Sequence, residues 1–286
     1  MSSIYSFFQN LPVYLKTYPW FMNLGLWFIF GLCMGSFGNV LIYRIPRKKS
    51  VIWQRSFCPK CKRNIPFYNN IPILSYLWLK GKCRFCGSSI SIQYPLVELS
   101  AGFLFLLSFL LWGVSITTVK MSFFYFFLLI IALIDYQRFL IPISLSFWGM
   151  VLGVVFSLFI PEQISPGQSL WGILISVGTL YIFSDFFYLI TGKIGLGSGD
   201  ISLAGMVGAY LGWKNSLLTL FIASCSALLF VGLYLGIKII SRKPINYQYS
   251  WRDGPPRWKK LPLGVFISIG ALMLTVLEKF IPDFQF

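Results

Sequence analysis

The stretch VKMSFFYFFLLIIALIDYQRFLIP, residues 119–142, decides the fold. After Lys120 it is apolar and uncharged until Asp135, and it ends at Pro142. A helix that crosses the hydrocarbon core of a bilayer needs about 20 mostly apolar residues. The stretch therefore predicts a membrane span with one carboxylate at its end, followed by a proline that stops the helix.

The same pattern recurs along the chain. Of its 286 residues, 57% are hydrophobic and only 11% are charged, against roughly 25% charged in soluble domains. We predict an all-α polytopic membrane protein with about eight transmembrane helices in a lipid bilayer. The apolar runs place these spans at residues 22–43, 95–113, 119–136, 141–160, 169–190, 200–213, 215–240 and 261–281. The residues before 21 suit an interfacial aromatic segment, and no removable signal peptide is expected.

The net charge of +16 would suggest nucleic acid as the partner of a soluble chain. Here the basic residues cluster in loops, which is typical of the positive-inside bias, so no nucleic-acid partner is expected. If the loop from residue 44 to 93 is cytoplasmic, alternating spans place twenty of the 24 Lys and Arg residues inside. This predicts a multi-pass membrane protein with outside termini, and with Asp135 and Asp200 on the cytoplasmic side.

Four cysteines lie in that basic loop. They form two CxxC pairs, Cys58-Pro-Lys-Cys61 and Cys83-Arg-Phe-Cys86. Two such knuckles are typical of a closed, structural zinc site, and the metal would supply the folding energy of a loop with little core. Two disulfides or four unligated thiols are the alternatives, and the reducing cytosol argues against disulfides.

Asp135 and Asp200 are the candidate catalytic residues. Asp200 closes Gly195-Leu-Gly197-Ser-Gly199-Asp200, where Gly197 and Gly199 leave room for a substrate backbone. Acidic residues at membrane depth are rare and point to function, and the chain has no histidine for a triad or a His-based metalloprotease. The alternative for each aspartate is a helix cap or an ion pair. For Asp185, which has no such glycines, we expect a structural polar contact.

Two carboxylates that share a proton provide an acid and a base. The ionised one deprotonates water, while the protonated one polarises the scissile carbonyl. Asp200 begins a helix, where the dipole favours its anion, and Asp135 ends one. We therefore expect Asp200 to be the base.

These motifs, in this order, resemble the type IV prepilin peptidases, membrane aspartic peptidases of the GxGD type. The matching segments are Gly35–Pro46, the paired CxxC loop, Tyr94–Glu98, Ala132–Pro142, Gly197–Asp200 and Leu261–Phe266. The resemblance implies cleavage of leaders from prepilins and pseudopilins, and thus a link to type IV pilus and type II secretion systems. Departures from the family pattern at Ile143, Ile194 and Ser202 bear on substrate preference.

Many members of that family also methylate the new N-terminus with S-adenosylmethionine. The residues that the resemblance associates with methyl transfer are Gly35, Asn39, Arg44 and Glu98. No glycine-rich nucleotide-binding motif supports this second activity from the sequence itself.

The chain is expected to have three parts. Residues 1–43 hold the interfacial segment and first span, residues 44–94 form the cytoplasmic zinc loop, and residues 95–286 form the peptidase core. Two other classes compete with the peptidase. One is an ion- or proton-coupled transporter that uses intramembrane carboxylates, and the other is a non-catalytic assembly factor of a pilus or secretion system.

Overall fold

A computed structural model describes residues 20–51, 53, 55–160, 163–193, 195–240 and 262–280. The basic loop at 241–260 and Ile194 lie outside these ranges. Almost all of the interfacial segment expected before residue 21 lies outside them as well. Within them the structure contains helices and two isolated antiparallel bridges but no strand.

The α-helices follow the apolar runs of the sequence. Their bounds are α1 Trp20–Arg44, α2 Leu74–Trp78, α3 Gln93–Trp112, α4 Ile116–Arg138, α5 Ile143–Phe159, α6 Pro166–Thr191, α7 Ser198–Ile240 and α8 Leu263–Phe280. Basic residues occupy the last turns of α1, α4 and α8, where a cation is favoured by the helix dipole.

Each predicted span coincides with helix. Among the residues that the structure describes, six helices are long and apolar enough to cross a membrane, and Ile143–Phe159 is apolar but shorter. The predicted spans 200–213 and 215–240 are joined in α7, which breaks at Gly212, a residue with a φ of 75°. The prediction of an all-α, multi-pass membrane protein is confirmed.

Backbone contacts divide the chain into two units, Met1–Phe126 and Phe127–Phe286. In the first unit α1 packs against α3. A Cβ at Gly35 would lie 2.6 Å from the Cα of Glu98, so the two backbones approach closely. Trp27 Nε1 donates to Ser122 Oγ (3.1 Å), and Ser122 contacts Ser108, which ties α1 and α3 to the start of α4.

In the second unit α7 packs against α5, α6 and α8. Gly172 of α6 and Gly208 of α7 meet backbone to backbone, and a Cβ on either would collide with the other's carbonyl. One turn further along α6, the hydroxyl of Ser176 is hydrogen-bonded at 2.5 Å to that of Ser216, which follows the break in α7. These contacts hold α7, whose first turn contains Asp200, against α6. The three-part division at residues 43 and 94 stays a prediction.

Candidate active site and metal centre

Asp135 lies in the last turn of α4 and is buried. Its Oδ2 has no hydrogen-bond partner within the described residues. The backbone amides of Gly264 and Val265, in the first turn of α8, face the carboxylate closely enough to act on it electrostatically. A Cβ at Gly264 would lie 2.9 Å from Oδ2, so a larger residue at this position would have to displace the carboxylate. The carboxylate is thus buried between helix ends with one oxygen uncommitted.

Asp200 lies in the first turn of α7 and is partly exposed. Its Oδ2 accepts a hydrogen bond from the backbone N–H of Gly197 (3.1 Å), while its own N–H donates to the Gly197 carbonyl (3.0 Å). These two bonds close the turn that precedes the helix. The capping contact considered from the sequence is therefore present, and it leaves Oδ1 available for other chemistry.

The two carboxylates belong to helices far apart in sequence, yet they are near enough for their charges to repel. Such a pair disfavours two negative charges and favours one shared proton. Asp185 differs from both, because it is exposed on α6. No hydrogen bond or ion pair joins Asp185 to a residue that the structure describes, so the polar contact expected for it stays a prediction.

Ile141 connects the two aspartates, a role that the sequence reasoning did not assign. A Cβ at Gly199 would lie 2.7 Å from Ile141 Cβ, and a Cβ at Gly264 would lie 2.7 Å from Ile141 Cδ1. Each aspartate thus has a glycine beside it on which the same isoleucine packs. The proline after Ile141 predicts extended backbone between two helices, but it does not indicate contacts with Gly199 and Gly264. Gly199 makes room here for the chain's own side chain, and a role in substrate approach stays a prediction.

The four cysteines of the basic loop converge. Their sulfurs all lie within 4.8 Å of one another, and the Sγ atoms of Cys58 and Cys86 are 3.9 Å apart. A tetrahedral tetrathiolate site with Zn–S bonds of about 2.3 Å needs sulfurs roughly 3.8 Å apart. The sulfur positions therefore fit a bound metal ion, with Cys58, Cys61, Cys83 and Cys86 as its ligands.

Both knuckles have the same backbone turn. Cys58 N donates to Arg63 O (3.0 Å), and Cys83 N donates to Ser88 O (2.8 Å). Four residues after the first cysteine of each pair the backbone has a positive φ, at Lys62 (57°) and at Gly87 (67°). The repeated geometry comes from the repeated CxxC spacing, and it explains how both pairs direct their sulfurs to one point.

Hydrogen bonds prepare part of this cluster for metal binding. The amide of Cys61 lowers the pKa of the Cys58 thiol to about 6, and the hydroxyl of Ser88 lowers the pKa of Cys86. The amide of Arg63 lowers the pKa of Cys61, but burial and the neighbouring sulfurs outweigh it and raise that pKa to about 11. A divalent cation would offset the crowding of negative charge that causes this rise.

A cavity of about 400 Å³ lies in the first unit, between the end of α1, the start of α3 and the cysteine loop. Asn39, Arg44 and Glu98 line it, and each is buried. Asn39 Nδ2 donates to Tyr94 O (3.0 Å), and Arg44 donates to the carbonyls of Ser50, Val51 and Arg55. Gly35 packs on the backbone of Glu98. The structure therefore brings together the four residues that the resemblance associated with methyl transfer.

Ile73, on the wall of this cavity, has a strained backbone. Its φ of 60° and ψ of −52° are rare for a β-branched residue, and Leu74 N donates to Pro72 O (2.6 Å) across it in a γ-turn. Glu98 Oε2 accepts the Ile73 N–H at 2.7 Å and holds the turn. Strain of this kind persists where the surroundings enforce it, and it concentrates at functional sites. No pattern in the sequence predicts this turn.

Two family sequence models match the chain, one mostly within each unit. A sequence model described as the bacterial peptidase A24 N-terminal domain matches residues 29–112, and one described as the type IV leader peptidase family matches residues 122–232. Proteins named prepilin leader peptidase/N-methyltransferase are similar over most of their length. The relative from Klebsiella pneumoniae is 36% identical over 223 residues, which cover 76% of this chain and 97% of the relative.

Two longer matches extend the similarity. The relative from Pectobacterium carotovorum subsp. carotovorum is 32% identical over 84% of this chain and 93% of its own. The relative from Aeromonas hydrophila is 31% identical over 88% of this chain and 90% of its own. No solved structure matches the chain. Because the expected motifs, both domain matches and relatives of this identity and coverage agree, the chain belongs to the prepilin leader peptidase/N-methyltransferase family.

Proposed function

We propose that this chain is an aspartic endopeptidase that removes the leader of type IV prepilins and pseudopilins, with Asp135 and Asp200 as its catalytic residues. The observation that carries the proposal is the pairing of the two carboxylates. They come from different helices, their charges interact, and one buried oxygen of Asp135 has no partner among the described residues. Family membership supplies the reaction class, and the relatives' names supply the substrate.

The reaction needs a single proton between the two acids. Ionised Asp200 takes a proton from water, which attacks the scissile carbonyl, while protonated Asp135 donates a hydrogen bond to the carbonyl oxygen. Collapse of the tetrahedral species breaks the C–N bond. The departing amine then takes a proton from the dyad, which returns to one shared proton.

Hydrogen bonding, and not the helix dipole, favours Asp200 as the base. Both carboxylates lie at helix N-termini, since the amides of α8 face Asp135, so the helix dipoles do not distinguish them. Their hydrogen bonds do. Asp200 Oδ2 accepts an amide hydrogen bond, which suits an anion, whereas Asp135 Oδ2 is buried with no hydrogen bond from a described residue, although the α8 amides face the carboxylate, and this oxygen suits the protonated form.

We propose that the substrate meets the dyad at the cytoplasmic edge of the bacterial inner membrane. Asp135 ends one spanning helix and Asp200 begins another. A peptide bond inside a transmembrane helix is hidden by its hydrogen bonds, whereas an extended segment at the membrane edge is accessible. The orientation rests on the basic loops, which hold twenty of the 24 Lys and Arg residues. Gly197 and Gly199 would border the bound backbone.

We further propose that the metal held by the cysteine cluster is zinc. Four sulfurs leave no ligand position for a substrate, so the ion would supply folding energy to the loop and take no part in catalysis. Cys58, Cys61, Cys83 and Cys86 would hold it.

Mass spectrometry of a co-expressed prepilin tests the peptidase. The expected result is a mature N-terminus at the leader junction when the wild-type chain is present, and the full leader when both aspartates are asparagine. A transporter or an assembly factor would leave the leader intact in both cases, and that result would reject the proposal.

A second activity, N-methylation, is favoured by the cavity in the first unit. Its volume of about 400 Å³ suits a nucleoside-sized ligand. S-adenosylmethionine would supply the methyl group there. Glu98 accepts the Ile73 N–H and also interacts with the Ser36 hydroxyl, and its carboxylate would attract the positively charged groups of the ligand, while Asn39 and Arg44 shape the wall.

Equilibrium dialysis of radiolabelled S-adenosylmethionine against the full-length chain tests this assignment without activity. Binding should be weakened by Glu98→Gln and unchanged by Asp135→Asn, because Asp135 does not line the cavity. Equal binding by the wild type and by Glu98→Gln would place the methyl donor elsewhere.

A further inference from the structure

The short helix α2 exposes an apolar face outside the membrane-spanning helices. Leu74, Leu77 and Trp78 occupy positions i, i+3 and i+4, which lie on one side of a helix, and all three are exposed. Trp78 is 88% exposed. Water alone is a poor solvent for such a face, so it indicates a partner.

A hydrogen bond places the start of α2 near one end of a candidate membrane span. Helix α3 has 20 residues and is therefore about 30 Å long, close to the thickness of the hydrocarbon core. Glu98 lies in the second turn of this helix and accepts the hydrogen bond of Ile73, the residue immediately before α2. The apolar face of α2 therefore starts beside the first turns of a membrane span, at the end where the span meets the interface.

The positive charge of the loop favours contact with anionic lipids. Between Arg44 and Val97 the chain has eleven Lys and Arg residues and no Asp or Glu. Three of these cations, Lys80, Lys82 and Arg84, directly follow α2. A polybasic segment beside an apolar helix binds anionic headgroups while its Trp and Leu side chains enter the interface.

We propose that the face of Leu74, Leu77 and Trp78 inserts into the interfacial region of an anionic leaflet, and that Lys80, Lys82 and Arg84 bind its headgroups. The loop is then held flat against the membrane at α2 as well as at its two flanking spans. This inference does not depend on the peptidase activity.

Fluorescence of the full-length, zinc-loaded chain in nanodiscs tests the proposal. Subtracting the emission of Trp78→Phe from that of the wild type isolates the contribution of Trp78. Phosphatidylglycerol brominated on its acyl chains should remove most of this component, and acrylamide in the water should quench it weakly. The triple variant Lys80→Gln, Lys82→Gln, Arg84→Gln should lose the quenching by brominated lipid. The wild type should lose it too when the discs contain brominated phosphatidylcholine in high salt in place of brominated phosphatidylglycerol.

Zinc content and circular dichroism establish that each variant is folded. The proposal is overturned if brominated lipid leaves the Trp78 component unchanged while acrylamide quenches it strongly in both kinds of disc. It is equally overturned if Trp78 becomes shielded only when a prepilin peptide is added, because the face would then bind a protein.

Discussion

Gly264 touches Asp135 so closely that a Cβ at residue 264 would lie 2.9 Å from Asp135 Oδ2. With a side chain at residue 264, the first turn of α8 would displace Asp135 or Ile141. The amides of this turn thereby face Asp135, although α8 begins 128 residues after it. The relationship makes Gly264 a site where one methyl group tests the geometry of the dyad.

Gly264→Ala should lower the rate of leader cleavage by at least about tenfold, because small misplacements of catalytic groups are costly. The added methyl would contact both Asp135 Oδ2 and Ile141 Cδ1. Cleavage of a purified prepilin, followed by gel mobility, measures the effect. Gly178→Ala is the matched control, since a Cβ there meets nothing within 4 Å. Equal rates for the two variants would show that the approach of α8 is unimportant.

Asp135→Asn and Asp200→Asn should each reduce cleavage by on the order of 10²–10⁴-fold or more, since each removes one half of the acid–base pair. Initial rates of leader removal in membranes measure the loss, and immunoblots of the membrane fraction show that the variants insert. Asp185→Asn should retain the wild-type rate, because that carboxylate is exposed on α6. Substantial activity in either dyad variant would contradict the two-acid mechanism.

Cys58→Ser should release the metal and loosen the loop, since three thiolates remain where four are needed. Elemental analysis of the purified chain should find about one zinc per wild-type molecule and far less in the variant, and limited trypsin digestion should cut the basic loop sooner. Cys33→Ser, in α1 and outside the cluster, should keep its zinc. A wild-type chain that contains no metal would refute the zinc assignment.

Glu98→Ala should destabilise the segment around Ile73 by about 1–3 kcal/mol, the cost of leaving a buried donor unpaired. Hydrogen exchange measured by mass spectrometry should be faster in peptides that contain residues 71–78. Glu98→Gln keeps an acceptor oxygen and should show a smaller increase. Glu278→Ala, at the far end of α8, should leave these peptides unchanged. Unaltered exchange in Glu98→Ala would mean that the hydrogen bond to Ile73 does not hold the turn.

The spans could be predicted because the bilayer imposes a length and an apolar composition on each of them. Asp135, Asp200 and the cysteines could be singled out because charge is rare in such a chain and because CxxC spacing has a definite geometry. The separation of the spans 200–213 and 215–240 could be predicted. The sharp break at Gly212 could not, because it comes from a positive φ that composition does not reveal.

Ile141, Gly264 and Ile73 could not be assigned their roles from the sequence. Each acts through a contact with a residue that lies far along the chain or on another helix. An isoleucine between two helices looks like ordinary apolar packing, and a γ-turn at a β-branched residue contradicts local propensity. Such contacts depend on tertiary structure, which periodicity and spacing do not encode.

Ile141 lies between the two glycines that neighbour the aspartates. A Cβ at Gly199 would meet its Cβ and a Cβ at Gly264 would meet its Cδ1, so one hydrocarbon side chain stands between the first turns of α7 and α8. We expect its volume to influence the separation of the two carboxylates, because valine would vacate the space beside Gly264 and phenylalanine would crowd it. A residue without acid–base chemistry would in this way affect how the pair shares its proton.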